Sequence, residues 1–453
     1  MSSDELRLFF VVCFAFGVYY LVLYASVFAG RFVECGVDTA GSSWRSEFGT
    51  DCGEKRAYNF VIDSSQFGAL CLAQLARAGG YVNKNLRRDA LACFACLILL
   101  SWLAVYRRTS STWYAFAAIR AAIVTVPGTV LPALKMRLLH AVKPSERDKW
   151  NNWLTFGVNA VYLAYSPLAM LSTGVMAPYL KQREWRTLFG SSLILLSFAC
   201  GVVWLNVDDA RRPGAISGHG EERSVSSDDR ALGAQKQAEI SLGKQLRTRA
   251  WYFAVPYFIA LPQSHVGIQA ASYMKGNRHV SFLVVQGAVT LSKLLLVIPS
   301  RFATDMLPIQ SAATVSFAFV CACEASLKWN SPWASSDWFE WVVLAFVACA
   351  YVLNGLVINM YFHKTYTILE TTERNVAVMS ASAATSFAAA LAPLVQALAE
   401  KDQFASAIVA LSHACVALVL NVDRAWPLSE KGVAVGTPAS DSGARRKYRT
   451  VTL

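Results

Sequence analysis

Residues 145–168 read SERDKWNNWLTFGVNAVYLAYSPL, and residues 372–394 read TERNVAVMSASAATSFAAALAPL. Each opens with a Ser/Thr-Glu-Arg triplet and carries Pro-Leu far along the apolar run that follows, and the Glu-to-Pro spacing differs by one residue between the copies. A helix start and a proline repeated in near register are the trace of an internal duplication. A chain duplicated in this way is expected to build two equivalent helical bundles. Locally, Ser145 and Thr372 read as N-caps, while Glu146 and Glu373 favour the positive end of the helix that follows. Arg147 and Arg374 complete the triplets.

The 453 residues are 55% apolar and only 16% charged, and the mean hydropathy is +0.37. Such a balance belongs to an integral membrane protein rather than to a soluble enzyme. The net charge of +12 would suit nucleic acid if it formed one patch. Instead, Lys and Arg gather in connections between apolar runs, at Arg77 to Arg88, at Lys135 to Lys149 and in the tail Arg445-Arg446-Lys447-Tyr448-Arg449. This positive-inside bias excludes nucleic acid as a partner, names the lipid bilayer instead, and puts both termini in the cytoplasm. Arg107-Arg108, in a short outer connection, is the exception.

Twelve runs are long and apolar enough to cross a bilayer: 6–29, 57–79, 88–106, 112–134, 150–174, 187–206, 250–274, 279–301, 307–327, 338–362, 375–399 and 403–422. The polar stretch 207–249, mixed in charge and rich in Gly and Ser, divides them six from six and reads as a flexible cytoplasmic linker. The expected fold is therefore an all-α integral membrane protein of twelve transmembrane helices. Its two six-helix bundles, 1–206 and 250–422, are related by a pseudo-two-fold axis, and a disordered cytoplasmic tail occupies 423–453. The run Leu6 to Ala29 is too long for the core of a cleavable signal and reads as a signal anchor.

Of eleven cysteines, only Cys35 and Cys52 fall outside the apolar runs. They share the first outer loop, where a disulfide is expected; the others read as small buried hydrophobes. No zinc spacing, phosphate loop or nucleophile–base pair is present. The chain is accordingly expected to be no enzyme and to hold neither metal nor cofactor.

Several motifs resemble those of the major facilitator superfamily, over roughly Leu6 to Asn421. An Arg-rich turn joins the second and third runs as Leu75-Ala76-Arg77-Ala78-Gly79-Gly80-Tyr81-Val82-Asn83-Lys84-Asn85-Leu86-Arg87-Arg88, with an echo at Pro299-Ser300-Arg301-Phe302-Ala303-Thr304-Asp305. The family's usual Asp is missing from the first copy, which leaves a latch built on it without its acid. Glu146-Arg147 and Glu373-Arg374 stand where family members place Glu-Arg, and Ser166-Pro167 replaces the Gly-Pro of antiporters. Within the superfamily the chain is most similar to large-neutral amino-acid transporters and their relatives in fungi and apicomplexan parasites. That likeness rests on Ser241-Leu242-Gly243-Lys244-Gln245-Leu246 leading to Gln263, and on an aromatic first helix with Tyr24 and Ser26. It implies alternating access, with helices one, four, seven and ten lining the cavity.

Polar side chains on those helices are the candidates for binding: Tyr20, Tyr24, Gln263, His265, Gln269, Asn354 and Asn359. Ionisable groups inside a span cost roughly 2.5–3.5 kcal/mol on insertion scales, so they face a cavity or each other. Asp63 and Arg120 fall at matching depths on helices two and four, and the pair reads either as a structural pin or as a gate and substrate anchor. Lys293 lies deep in helix eight with no carboxylate of its own bundle at that depth, which suits the carboxylate of a substrate. Arg77, Arg87, Arg88, Glu146, Arg147, Glu373 and Arg374 read as gating or structural residues. Pro256 and Pro262 are expected to break helix seven and free backbone groups beside the site.

Together these features point to a monomeric multi-pass carrier of a small polar organic solute, an amino acid first, working by facilitated transport or exchange in the plasma membrane. A nucleoside, sugar or organic anion is the alternative solute and an intracellular membrane the alternative location. A receptor or scaffold that kept the fold and lost transport is the reading from another class.

Overall fold

The computed structural model describes residues 3–31, 56–78, 86–105, 113–142, 146, 149–161, 184–206, 250–263, 278–297, 306–368 and 371–422, and its regular elements are all helical. In chain order they are α1 (Ser3–Arg31), α2 (Arg56–Ala78), α3 (Leu86–Val105), α4 (Trp113–Ala141), α5 (149–161) and α6 (Glu184–Asn206). The second half holds α7 (250–263), α8 (Arg278–Val297), α9 (Met306–Lys328), α10 (Asp337–Ile368), α11 (Thr371–Lys401) and α12 (Gln403–Val422). Each answers to one of the twelve apolar runs. Five of them, α4, α9, α10, α11 and α12, are long and apolar enough over described residues to cross a membrane.

The pairing of helices repeats between the halves. In the first, α2 packs on α4, α3 on α4 and α3 on α6; in the second, α8 packs on α10, α9 on α10 and α9 on α12. Advancing every number by six converts one set into the other, which is the duplication announced by the two Glu-Arg copies. The chain is two six-helix bundles. The outward faces of α2, α3, α6 and α12 expose Leu72, Leu99, Phe198 and Val419, as lipid rather than water demands.

Small residues set how closely the helices approach. A Cβ on Gly157 of α5 would lie 2.7 Å from Cys13 Sγ of α1, so only glycine allows that crossing. On α11 the buried Ala377, Ala381, Ala384 and Ala388 recur every three or four residues, a small-residue stripe. This helix meets α2 of the other half, where Ser386 Oγ donates to Gln74 Oε1 at 3.0 Å in a buried bond. Turn chemistry closes the elements. Asn330 adopts a φ of 49° after α9, while Ser331 N–H reaches Ser326 O at 3.0 Å and Asn330 N–H reaches Leu327 O at 3.2 Å. That is a Schellman stop with asparagine in the left-handed position.

Three expectations change. Helix α4 runs to Ala141, past its expected end at 134, because Leu138 and Leu139 continue the buried stripe beyond Lys135. Lys135 is therefore a helical residue and not the first residue of a basic loop. Helix α7 continues through Pro256, since a proline removes one N–H without ending the remaining ladder; the chain beyond Gln263, next to Pro262, lies outside the described residues. Thr372 lies inside the first turn of α11, which begins at Thr371, so it does not cap the helix. Residues 207–249 and 423–453 lie outside the described residues.

Candidate functional site

The polar centre of the second half is assembled by three helices. Gly355 of α10 has no side chain, and a Cβ there would meet Ser292 Oγ of α8 at 2.8 Å and Gln263 Nε2 of α7 at 3.8 Å. The missing side chain lets the three helices close around one point. One residue before it, the wholly buried Asn354 gives its amide N–H to Ile259 O of α7 at 2.6 Å, while its Oδ1 has no hydrogen-bond partner among the described residues. One turn after it, Asn359 donates to Gly355 O along its own helix and accepts from the Lys293 ammonium of α8. The backbone bond orients the amide so that its oxygen meets the lysine. Lys293 thus faces a neutral amide.

The first half brings Lys135 to the same region. It lies within electrostatic reach of Lys293 and of Cys13 of α1. Both lysines are half-buried. Leu139, one turn beyond Lys135 on the same helix face, packs on Val378 of α11 and Phe362 of α10. Phe362 is likewise three residues beyond Asn359. The lysines and the Asn359 amide therefore stand one turn above an apolar contact between the halves.

Asp63 and Arg120 form a separate station within the first half. Arg120 is 1% exposed and donates from Nη1 to Asp63 Oδ1 at 3.2 Å and from Nη2 to Gln66 Oε1 at 3.1 Å. Its guanidinium also lies over the Phe116 ring, 5.6 Å from the centroid. A buried guanidinium held by a carboxylate and an amide fastens α4 to α2.

The remaining candidates scatter. Tyr20 of α1 is half-buried against Phe16 and Tyr19. Arg77 ends α2 and donates to Thr129 O of α4, and Asp89, in the first turn of α3, acts on its charge. Arg88 and Glu146 are exposed, while Arg374 is buried. His265, Gln269, Arg147, Cys35 and Cys52 lie outside the described residues, as do the side chains of Tyr24, Arg87 and Glu373.

Sequence reasoning missed that Lys135 lies on a helix. The signal was present, because Leu131, Leu134, Leu138 and Leu139 keep the helical period across it. It also missed Ser292 and Gly355, which carry no chemistry until another helix leans on them.

Two bundles of six helices in this order and pairing are the major facilitator fold. Solved structures share it along nearly the whole chain. The proton:xylose symporter XylE bound to 6-bromo-6-deoxy-D-glucose is 14% identical, with 92% of this chain and 95% of that one covered and a TM-score of 0.61. A partially occluded inward-open form of the xylose transporter XylE from E. coli is 13% identical, with 92% and 97% covered and a TM-score of 0.62. A D-xylose-proton symporter is 12% identical, with 94% and 97% covered and a TM-score of 0.61. No protein-family model matches the chain, and no curated protein matches it.

Proposed function

We propose that this protein is a membrane transporter that moves a small polar organic solute by alternating access, with its two bundles rocking about the polar centre between them. The observation that carries the reading is the packing of Leu139 from the first half on Val378 and Phe362 of the second, one helical turn along α10 from the Asn359 amide that accepts from Lys293. A barrier shared by the halves beside a binding group is what a rocking carrier needs.

An amino acid is the first solute class in this reading, since Lys293 suits a carboxylate and the amides of Gln263, Asn354 and Asn359 suit polar substituents. The described carboxylates inside the bundles stand elsewhere: Asp63 is bound to Arg120, and Glu324 is buried on α9. That arrangement favours uniport or exchange over proton symport. The protein works as a monomer, with its termini in the cytoplasm and the plasma membrane as its location. In this reading 207–249 is a cytoplasmic linker and 423–453 a cytoplasmic tail, and Arg120 is a structural pin rather than a substrate anchor.

A sugar is the second reading. Gln263, Ser292, Asn354 and Asn359 offer amide and hydroxyl partners of the kind that sugar hydroxyls use, and XylE, whose fold this chain shares, is described as a xylose symporter. Uptake of radiolabelled L-leucine, L-glutamate and D-xylose into oocytes expressing the chain decides between the classes. Uptake of the sugar with neither amino acid would remove the amino-acid assignment.

A further inference from the structure

Glu324 of α9 is 1% exposed, and neither of its carboxyl oxygens has a hydrogen-bond partner among the described residues. An ionised carboxylate placed there has lost its water and gained no donor, which is strongly unfavourable, and a bound proton removes that cost. The described surroundings are apolar or acidic. Val320 and Cys323 of α9 belong to an apolar cluster with Phe339 and Val343 of α10 and Ala410 of α12, and Ala334 of the turn at 332–335 packs against it. Glu340 of α10 is half-buried and Lys401, at the end of α11, is exposed. On α12, Asp402 lies within electrostatic reach of Glu324, while His413 lies against Tyr257 and Phe258 of α7.

Lys328, one helical turn further along α9, is the cation best placed to answer Glu324, because a glutamate four residues before a lysine is the favourable order on a helix. It is turned elsewhere. Its ammonium holds Asp402 at 2.5 Å and lies over the Phe404 ring, 5.2 Å from the centroid. Trp329 meets the same ring at 5.7 Å, and Asp402 caps α12 by accepting from Ala405 N–H at 3.2 Å. One lysine has two carboxyl groups to choose from, and here it fastens α12 to α9.

We propose that Glu324 is a proton-binding site whose occupancy selects the partner of Lys328. With the proton bound, Glu324 is neutral, and Lys328 stays on Asp402 and secures the first turn of α12. When the proton leaves for solvent, the new carboxylate draws Lys328 back along its own helix, and Asp402 loses its cation. Helix α9 is not among the three that close around Gly355. This proton is therefore separate from the polar centre, and it adjusts the second half without driving a solute.

The full chain in detergent gives two readouts. At pH 7 the infrared C=O stretch of a protonated carboxyl is expected in wild type and is expected to be missing from Glu324→Gln. As the pH is raised to 10, the band is expected to vanish. Hydrogen exchange of residues 403–410, corrected for its intrinsic pH dependence, is expected to quicken severalfold over the same range. Glu324→Gln, always neutral, is expected to keep that segment protected throughout, and Lys328→Met to leave it unprotected at every pH. Because either variant can fail to fold, the wild-type titration decides by itself, with band and protection lost together. A band missing at pH 7, a band unchanged at pH 10, or a band lost while residues 403–410 stay protected would overturn the proposal. A loss of protection that persists in Glu324→Gln would overturn it as well, since another group would then hold the proton.

Discussion

Gly355 of α10 and Ser292 of α8 approach so closely that a Cβ on the glycine would lie 2.8 Å from the serine Oγ and 3.2 Å from its Cβ. Gly355→Ala is expected to push α8 outward, to turn Lys293 away from Asn359 and to lower stability by about 1–3 kcal/mol, the usual range for overpacking. Removing the hydroxyl as well, in Gly355→Ala with Ser292→Ala, leaves only the longer carbon contact at 3.2 Å and is expected to recover much of the loss. Thermal unfolding of the three variants checks this, and a double variant as weak as the single one would contradict it.

The Asp63–Arg120 contact invites a test that separates pin from anchor. Arg120→Ala leaves a carboxylate and an amide oxygen facing a void, so the expected loss is about 3–5 kcal/mol of stability, as for a broken buried pair. Asp63→Asn, which keeps a hydrogen-bond acceptor, is expected to lose less. If Arg120→Ala kept its unfolding temperature while apparent solute affinity fell, the arginine would be a substrate anchor instead.

At the end of the second half, Lys328 holds Asp402 at 2.5 Å, and Asp402 in turn caps α12 by accepting from Ala405 N–H at 3.2 Å. The lysine's hydrogen bond, and then the backbone bond, hold the carboxyl of Asp402 below its ordinary value of 3.8. A carboxyl lowered in the folded state contributes stability that is present above the ordinary value and lost as pH falls through the lower one. Between pH 5 and 8 wild type is expected to be flat in this respect, with a small acid-side decline that Asp402→Asn lacks. Unfolding temperature against pH for the two proteins measures the difference. Both side chains are solvent-accessible, so it is expected to be small and to shrink further in high salt.

Leu139 and Val378 join the halves. Leu139→Cys paired with Val378→Cys is expected to cross-link with a short bifunctional thiol reagent. Added transported solute is expected to change the yield, because rocking parts this contact. A yield indifferent to every transported solute would show that the contact is a permanent seam.

Ser386 of α11 and Gln74 of α2 share a polar tie between the bundles. Ser386→Ala is expected to lower stability by about 0.6 kcal/mol, the average for interhelical hydrogen bonds in membranes. Unfolding temperature is again the readout, with Gln74→Leu in the Ser386→Ala background expected to recover part of the loss by removing the stranded amide.

The amino-acid sequence was enough to place the helices, because a span must be apolar along its whole length and that property belongs to each segment alone. It also held the duplication, since Glu146 and Glu373 mark the same place in two copies. Mistakes came where one segment's meaning depends on another. Lys135 reads as a loop cation until Leu139 is seen packed on α10 and α11, and Gly355 reads as a blank until Ser292 fills it. Hydropathy registers the solvent around a helix, and repeats register its copies; neither registers which faces meet. The convergence of Gly355, Ser292 and Gln263 depends on three helices closing around one point. Only the packing of those helices decided it, because lateral contacts between segments far apart in the chain leave no period in the residues that make them.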